Sequence, residues 1–78
     1  MKLELFKRDT CPYCVKVQMF IEELGVEDQI EQLDITKDPA ARQRLIEVGG
    51  KQQVPCLFID GKPLYESRDI MNWIEANL

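Results

Sequence analysis

Two cysteines three positions apart, in the run Cys11-Pro12-Tyr13-Cys14, are the residues of this chain best suited to chemistry. A Cys-x-x-Cys pair serves either metal ligation or reversible thiol–disulfide exchange. A closed structural zinc site takes four ligands, and this pair is joined by only one further thiol, Cys56, and by no histidine. An odd number of cysteines is also a poor disulfide framework. Redox exchange is therefore the favoured use. The lack of histidine excludes Ser-His-Asp and Cys-His catalysis, His-ligated metals and imidazole acid–base work.

Exchange needs two thiols in unequal settings. Cys11 falls at the expected start of a helix, where free backbone N–H groups and the helix dipole stabilise negative charge. A thiol in such a place can have its pKa drawn from about 8.5 into the range of about 3.5–7.5. Arg8 stands three residues earlier and adds positive charge at the same mouth. Cys14 lies one turn further in, on the same side but deeper, with a more ordinary pKa expected. That asymmetry makes Cys11 the attacking thiol and Cys14 the resolving one.

The elements that must hold this pair are legible in the apolar pattern. Leu3 to Lys7 reads as a short strand ending at Arg8-Asp9-Thr10. Pro12 suits a first helical position, having a fixed φ and no N–H to satisfy. Val17, Phe20, Ile21 and Leu24 then repeat at helical spacing as far as Gly25. Ile30 to Ile35 reads as a second strand, and Asp38-Pro39 opens a second helix running to Val48 and stopped by Gly49-Gly50. Val54 to Ile59 is the strongest strand, Asp60-Gly61 a hairpin turn, and Lys62 to Tyr65 the returning strand. A last helix carries Ile70, Trp73 and Ile74 on one face. The order is β-α-β-α-β-β-α. Its first β-α-β implies a parallel pair with a right-handed crossover, and a small mixed sheet with helices on both faces is the economical solution.

Composition sets the limits. Seventy-eight residues, 45% hydrophobic and 31% charged, suit one small globular domain. A net charge of −4 gives no general attraction for nucleic acid or anionic lipid. No apolar run approaches a membrane span, and Met1 to Lys7 lacks the apolar region of a secretory signal. The expectation is a cytoplasmic monomer with neither nucleic acid nor membrane as a partner.

Over essentially its whole length the chain resembles the glutaredoxins. The carrying residues are Thr10-Cys11-Pro12-Tyr13-Cys14, Val54-Pro55 ahead of a strand, and Glu66-Ser67-Arg68-Asp69-Ile70 opening the last helix. The resemblance implies a thioredoxin fold, an α/β architecture with a four-stranded mixed sheet and helices on both faces, in one domain over residues 1–78. It implies glutathione-dependent reduction of protein disulfides and glutathione mixed disulfides, with glutathione as co-substrate and no tightly bound cofactor. By the same resemblance Pro55 follows a cis bond and faces the cysteine pair, while Val54 pairs its backbone with the cysteine of glutathione. A cis X-Pro bond leaves main-chain groups open to an extended peptide, much as an added strand would use them.

The rest of a glutathione seat is carried over position by position. Pro12 and Tyr13 border the ligand. Arg8 and Arg42 clasp the glycyl carboxylate, for which arginine offers a two-pronged fork. Backbone N–H groups at Ser67 hold the γ-glutamyl carboxylate, and Glu66 faces the ammonium group. The chain departs from the family at Gln53, where threonine is frequent, and at Tyr65-Glu66, where a glycine pair is frequent. Glu66-Ser67 with Ile70 instead resembles the glutathione-binding turn of glutathione-transferase N-terminal domains. Those enzymes use a second, helical domain for which 78 residues leave no room, so glutathione recognition is expected and transferase activity is not. Cys56 is expected as a buried strand residue; were it to face the pair, it would be open to glutathionylation or to an off-pathway disulfide.

Two other functions remain in view. One is an electron donor fed by thioredoxin reductase, for example toward ribonucleotide reductase, which would need no glutathione seat. The other is a module holding a two-iron, two-sulfur cluster between two protomers with glutathione as ligand, against which the stiff Pro12 argues.

Overall fold

A computed structural model describes residues 1–78. Strand β1 (Leu3–Lys7) leads into helix α1 (Pro12–Leu24), followed by one 3-10 turn (Glu27–Gln29) and strand β2 (Glu31–Asp34). Helix α2 (Pro39–Gly49), the hairpin β3 (Cys56–Ile59) and β4 (Lys62–Leu64), and helix α3 (Ser67–Asn77) complete the chain. The sheet order is β2-β1-β3-β4, with β1 parallel to β2 and antiparallel to β3. The expected order of elements and mixed sheet are therefore present.

Local chemistry explains the boundaries. Pro12 and Pro39 occupy the starts of α1 and α2, where no intrahelical N–H is lost. Asp38 caps α2, its carboxylate accepting from the Ala41 N–H at 3.1 Å. At the β3–β4 turn both central residues have positive φ, Asp60 at 50° and Gly61 at 85°, which matches the right-handed twist of a two-residue hairpin. Several expected boundaries are corrected: β4 ends at Leu64 rather than Tyr65, and α2 takes in Gly49 before Gly50 ends it. Ile30 and Ile35 are both buried but flank β2 rather than extend it, because the 3-10 turn precedes them and the Asp34–Thr36 turn follows. Val54 and Pro55 precede β3 rather than open it, since proline has no N–H to give a ladder.

The sheet separates two apolar layers. On one side α1 and α3 bring Val17, Ile21, Ile70 and Ile74 against Leu3, Leu5 and Leu57. Each such side chain, fully buried, contributes about 1.5–3 kcal/mol. On the other, α2 places Ala41 and Leu45 over Phe6, Cys56 and Phe58, with the two phenylalanine rings 4.4 Å apart. This second layer also holds Glu4, which is 3% exposed. Arg44 donates to both its oxygens at 2.7 and 2.9 Å and lies 5.6 Å from each ring centre. The arginine bonds hold the Glu4 carboxyl below its usual range, against the opposing effect of burial.

Candidate active site

The end of β1 and the start of α1 present Cys11. Lys7 bonds Asp9 at 2.7 Å and Lys37 bonds it at 3.2 Å, bracing the turn between strand and helix. Those two lysine bonds hold the Asp9 carboxyl below its usual range. Cys11 is the residue capping α1, and its Sγ accepts from the Cys14 N–H at 3.2 Å. Its thiol also donates to the Val54 carbonyl at 3.8 Å. The thiol is thus used both ways, its hydrogen going to the Val54 carbonyl and its sulfur accepting from the Cys14 amide.

Cys14 is wholly buried and its thiol is pushed up to about 12, first by burial and then by its bond with Cys11. The sequence predicts an ordinary value at this position. The difference arises because Cys14 shares the inward face of α1 with Val17 and Ile21, all at 0% exposure, and an apolar setting disfavours the charged form.

Beside the pair lies a cleft of about 470 Å³ lined by Tyr13, Gln53, Val54, Pro55, Glu66 and Ser67. This volume falls in the usual range for small-molecule sites, about 300–1,000 Å³. Tyr13 enters from the first turn of α1 and is 64% exposed. The Val54-Pro55 bond is cis, as is Tyr65-Glu66. Glu66 takes the position before α3, so Ser67 is its first helical residue. The first bond of that helix runs from the Ile70 N–H to the Glu66 carbonyl at 2.9 Å, and the three N–H groups before it have no intrahelical partner.

The structure thus gathers Tyr13, Val54, Pro55, Glu66 and Ser67 around one opening, with Cys11 tied to its Val54 wall. Pro12, Arg8 and Arg42 are exposed and stand outside this lining. Arg8 contributes a carbonyl that accepts from the Cys11 N–H at 3.2 Å. Gln53 belongs to the lining although its type alone suggested only a departure from a familiar pattern.

Cys56 lies at 0% exposure in the α2 layer, as a buried strand cysteine. Burial raises its pKa, opposed by the nearby Tyr65 hydroxyl. The Tyr65 hydroxyl reaches the carbonyls of Gly49 at 3.4 Å and Lys51 at 3.3 Å. A Cβ on Gly49 would stand 2.6 Å from that oxygen, so the approach requires glycine. Tyr65 thereby joins the turn carrying Glu66 to the segment leading to Gln53 and Val54, the two sides of the cleft. A tyrosine at a strand end carries no sequence signal for such a link, which spans 14 to 16 residues.

Known proteins share the sequence and the fold of this chain. Residues 10–77 match the sequence profile of the glutathione S-transferase N-terminal domain. Glutaredoxin 1 of Escherichia coli is 30% identical over 83 residues, taking in 100% of this chain and 98% of that protein. Glutaredoxin-C4 of Arabidopsis thaliana is 33% identical over 76 residues, or 96% of this chain, which spans 56% of that longer relative. Among solved structures, a thioredoxin-like protein superposes with a TM-score of 0.80 at 30% identity, over 99% of this chain and 100% of that one.

Proposed function

The chain belongs to the glutaredoxin family, whose chemistry is glutathione-dependent thiol–disulfide exchange, and we propose that Cys11 is its attacking thiolate and Cys14 its resolving thiol. The observation that carries this reading is the Cys14 N–H aimed at the Cys11 Sγ from the first turn of a helix. In the first step the Cys11 thiolate attacks one sulfur of a substrate disulfide. The Cys11–substrate S–S bond forms, the substrate S–S bond breaks, and the departing thiolate takes a proton from water.

With a protein disulfide, Cys14 then attacks the Cys11 sulfur, its proton passing to the departing substrate thiolate; the Cys11–substrate bond breaks, the reduced substrate leaves and a Cys11–Cys14 disulfide forms. Once Cys11 is in a mixed disulfide it carries no charge, so one of the influences that raises the Cys14 pKa is gone. The resolving thiol is held in reserve until it is needed. Two glutathiones return the pair to dithiols and leave as glutathione disulfide. With a glutathione mixed disulfide, Cys11 takes the glutathione sulfur and a second glutathione releases it, without Cys14.

Glutathione is the co-substrate and occupies the cleft. Val54 supplies backbone groups to its cysteine, Tyr13 flanks it, and the free N–H groups from Ser67 take the γ-glutamyl carboxylate, with Glu66 toward the ammonium group. Arg8 and Arg42, exposed and outside the lining, supply long-range attraction for the glycyl carboxylate. The proposed chemistry needs one domain over residues 1–78, acting as a monomer. Three free thiols suit the reducing cytoplasm, and no helix is long and apolar enough to cross a membrane. In an assay coupled to glutathione reductase and NADPH, Cys11→Ser is expected to lose all turnover of protein disulfides and glutathione mixed disulfides alike. Full activity in that variant would overturn the assignment.

A further inference from the structure

Beyond the cleft a second groove of about 260 Å³ lies between α1 and α3, lined by Lys16, Met19, Phe20, Glu23 and Met71. Its lining begins one turn further along each of the two helices that border the cleft. Tyr13 of the cleft and Lys16 of the groove are i,i+3 on α1, while Ser67 and Met71 are i,i+4 on α3, and residues so spaced are neighbours on one helix face. Both helices therefore carry their cleft-lining faces into the groove. Phe20 and Met71 pack partly on the core, whereas Met19 is 56% exposed.

We propose that this groove receives one apolar side chain of a protein-disulfide substrate, about four residues to the N-terminal side of the cysteine that Cys11 attacks. The proposal rests on the assignment of Cys11 as nucleophile and of the cleft as the substrate seat. From Cys11 to Met19 and Phe20 is about 12–13 Å along the helix at ~1.5 Å per residue. An extended peptide covers that distance in about four residues at ~3.3 Å each. The direction follows from the seat: the γ-glutamyl end precedes the cysteine of glutathione and is assigned to Ser67, and Met71 continues that wall.

The dimensions and charges select this occupant. A stable protein interface takes about 800 Å² from each partner, far more than a groove of five residues offers, so brief docking fits better than a second copy of the chain. Flexible, polarisable methionines adapt to differently shaped side chains, so the groove selects an apolar side chain without demanding one particular residue. Lys16 marks the end nearer the cleft and Glu23 the far end, which favours an acidic substrate residue between the apolar one and the cysteine.

The test uses oxidised peptides whose two cysteines close a loop, with Leu or Ser placed four residues before the first cysteine. Their kcat/KM is measured for wild type and Met19→Glu, beside the small mixed disulfide of glutathione and 2-mercaptoethanol, which is too short to reach the groove. The wild type should favour the Leu peptide about fivefold to tenfold, and Met19→Glu should erase that preference while turning over the small substrate as before. Equal kcat/KM for the two peptides with wild type overturns the groove without reference to any variant. A preference that survives in Met19→Glu overturns it too. A wild type idle on the small mixed disulfide would instead overturn the cleft assignment, and the groove with it.

Discussion

The two buried thiols, Cys14 and Cys56, lie on opposite faces of one sheet and differ in their company. Both are at 0% exposure, and burial is the first cause of the raised pKa of each. Cys14 sits in the first turn of α1, and its N–H bonds the sulfur of Cys11 at 3.2 Å. Cys56 has Phe6, Leu45 and Phe58 around it and the Tyr65 hydroxyl as its polar neighbour. Burial makes both of them protonated thiols. Only a second thiol at a helix start turns one of them into half of a redox pair, so reactivity here is a property of neighbours rather than of depth.

The largest effect expected from that comparison is on stability in alkali. In the unfolded chain a thiol ionises near pH 8.5, whereas burial keeps Cys14 and Cys56 protonated to higher pH, and Tyr65 is pushed up to about 12 by burial and its bond with Cys56. Above about pH 8.5 the native state binds more protons than the unfolded one, so stability falls as pH rises, by at most about 1.4 kcal/mol per pH unit for each thiol. Urea unfolding of the reduced protein should show a lower midpoint at pH 10 than at pH 7.5, and Cys56→Ala should flatten part of that slope. A midpoint independent of pH would mean that neither thiol is held protonated by the fold.

A smaller effect tests the tie between the Cys56 side and the cleft. Tyr65→Phe removes the hydroxyl that reaches the Gly49 and Lys51 carbonyls and loosens the two sides of the cleft relative to each other. A lost neutral hydrogen bond is worth about 0.5–1.5 kcal/mol, so KM for glutathione should rise about twofold to tenfold while kcat stays near wild type. A fall in kcat with KM unchanged would show that Tyr65 acts on the cysteine pair rather than on the cleft.

How far the sequence revealed this arrangement depended on the range of each interaction. The start of α1 was legible because Cys11, Pro12 and Cys14 are consecutive or one turn apart, and both the proline preference and the free N–H groups are local facts. The hairpin was legible from Asp60-Gly61 for the same reason. The Glu4–Arg44 pair was not, because it joins residues 40 positions apart, and an alternating glutamate in a strand reads as solvent-facing. The raised Cys14 pKa was missed because it depends on what closes over α1 in space. Gln53 and Tyr65 were visible as departures from a familiar pattern, but side-chain type alone does not say that one lines the cleft and the other ties its sides together.

The central claim is that Cys11 performs the chemistry with glutathione and that Cys14 is needed only to resolve protein disulfides. Its most direct test is turnover of a glutathione mixed disulfide with glutathione, glutathione reductase and NADPH, by wild type and by Cys14→Ser. Strong activity in both is the predicted result. Little activity in either would contradict the account and favour a donor reduced by thioredoxin reductase; loss in Cys14→Ser alone would show that both thiols are needed for every substrate.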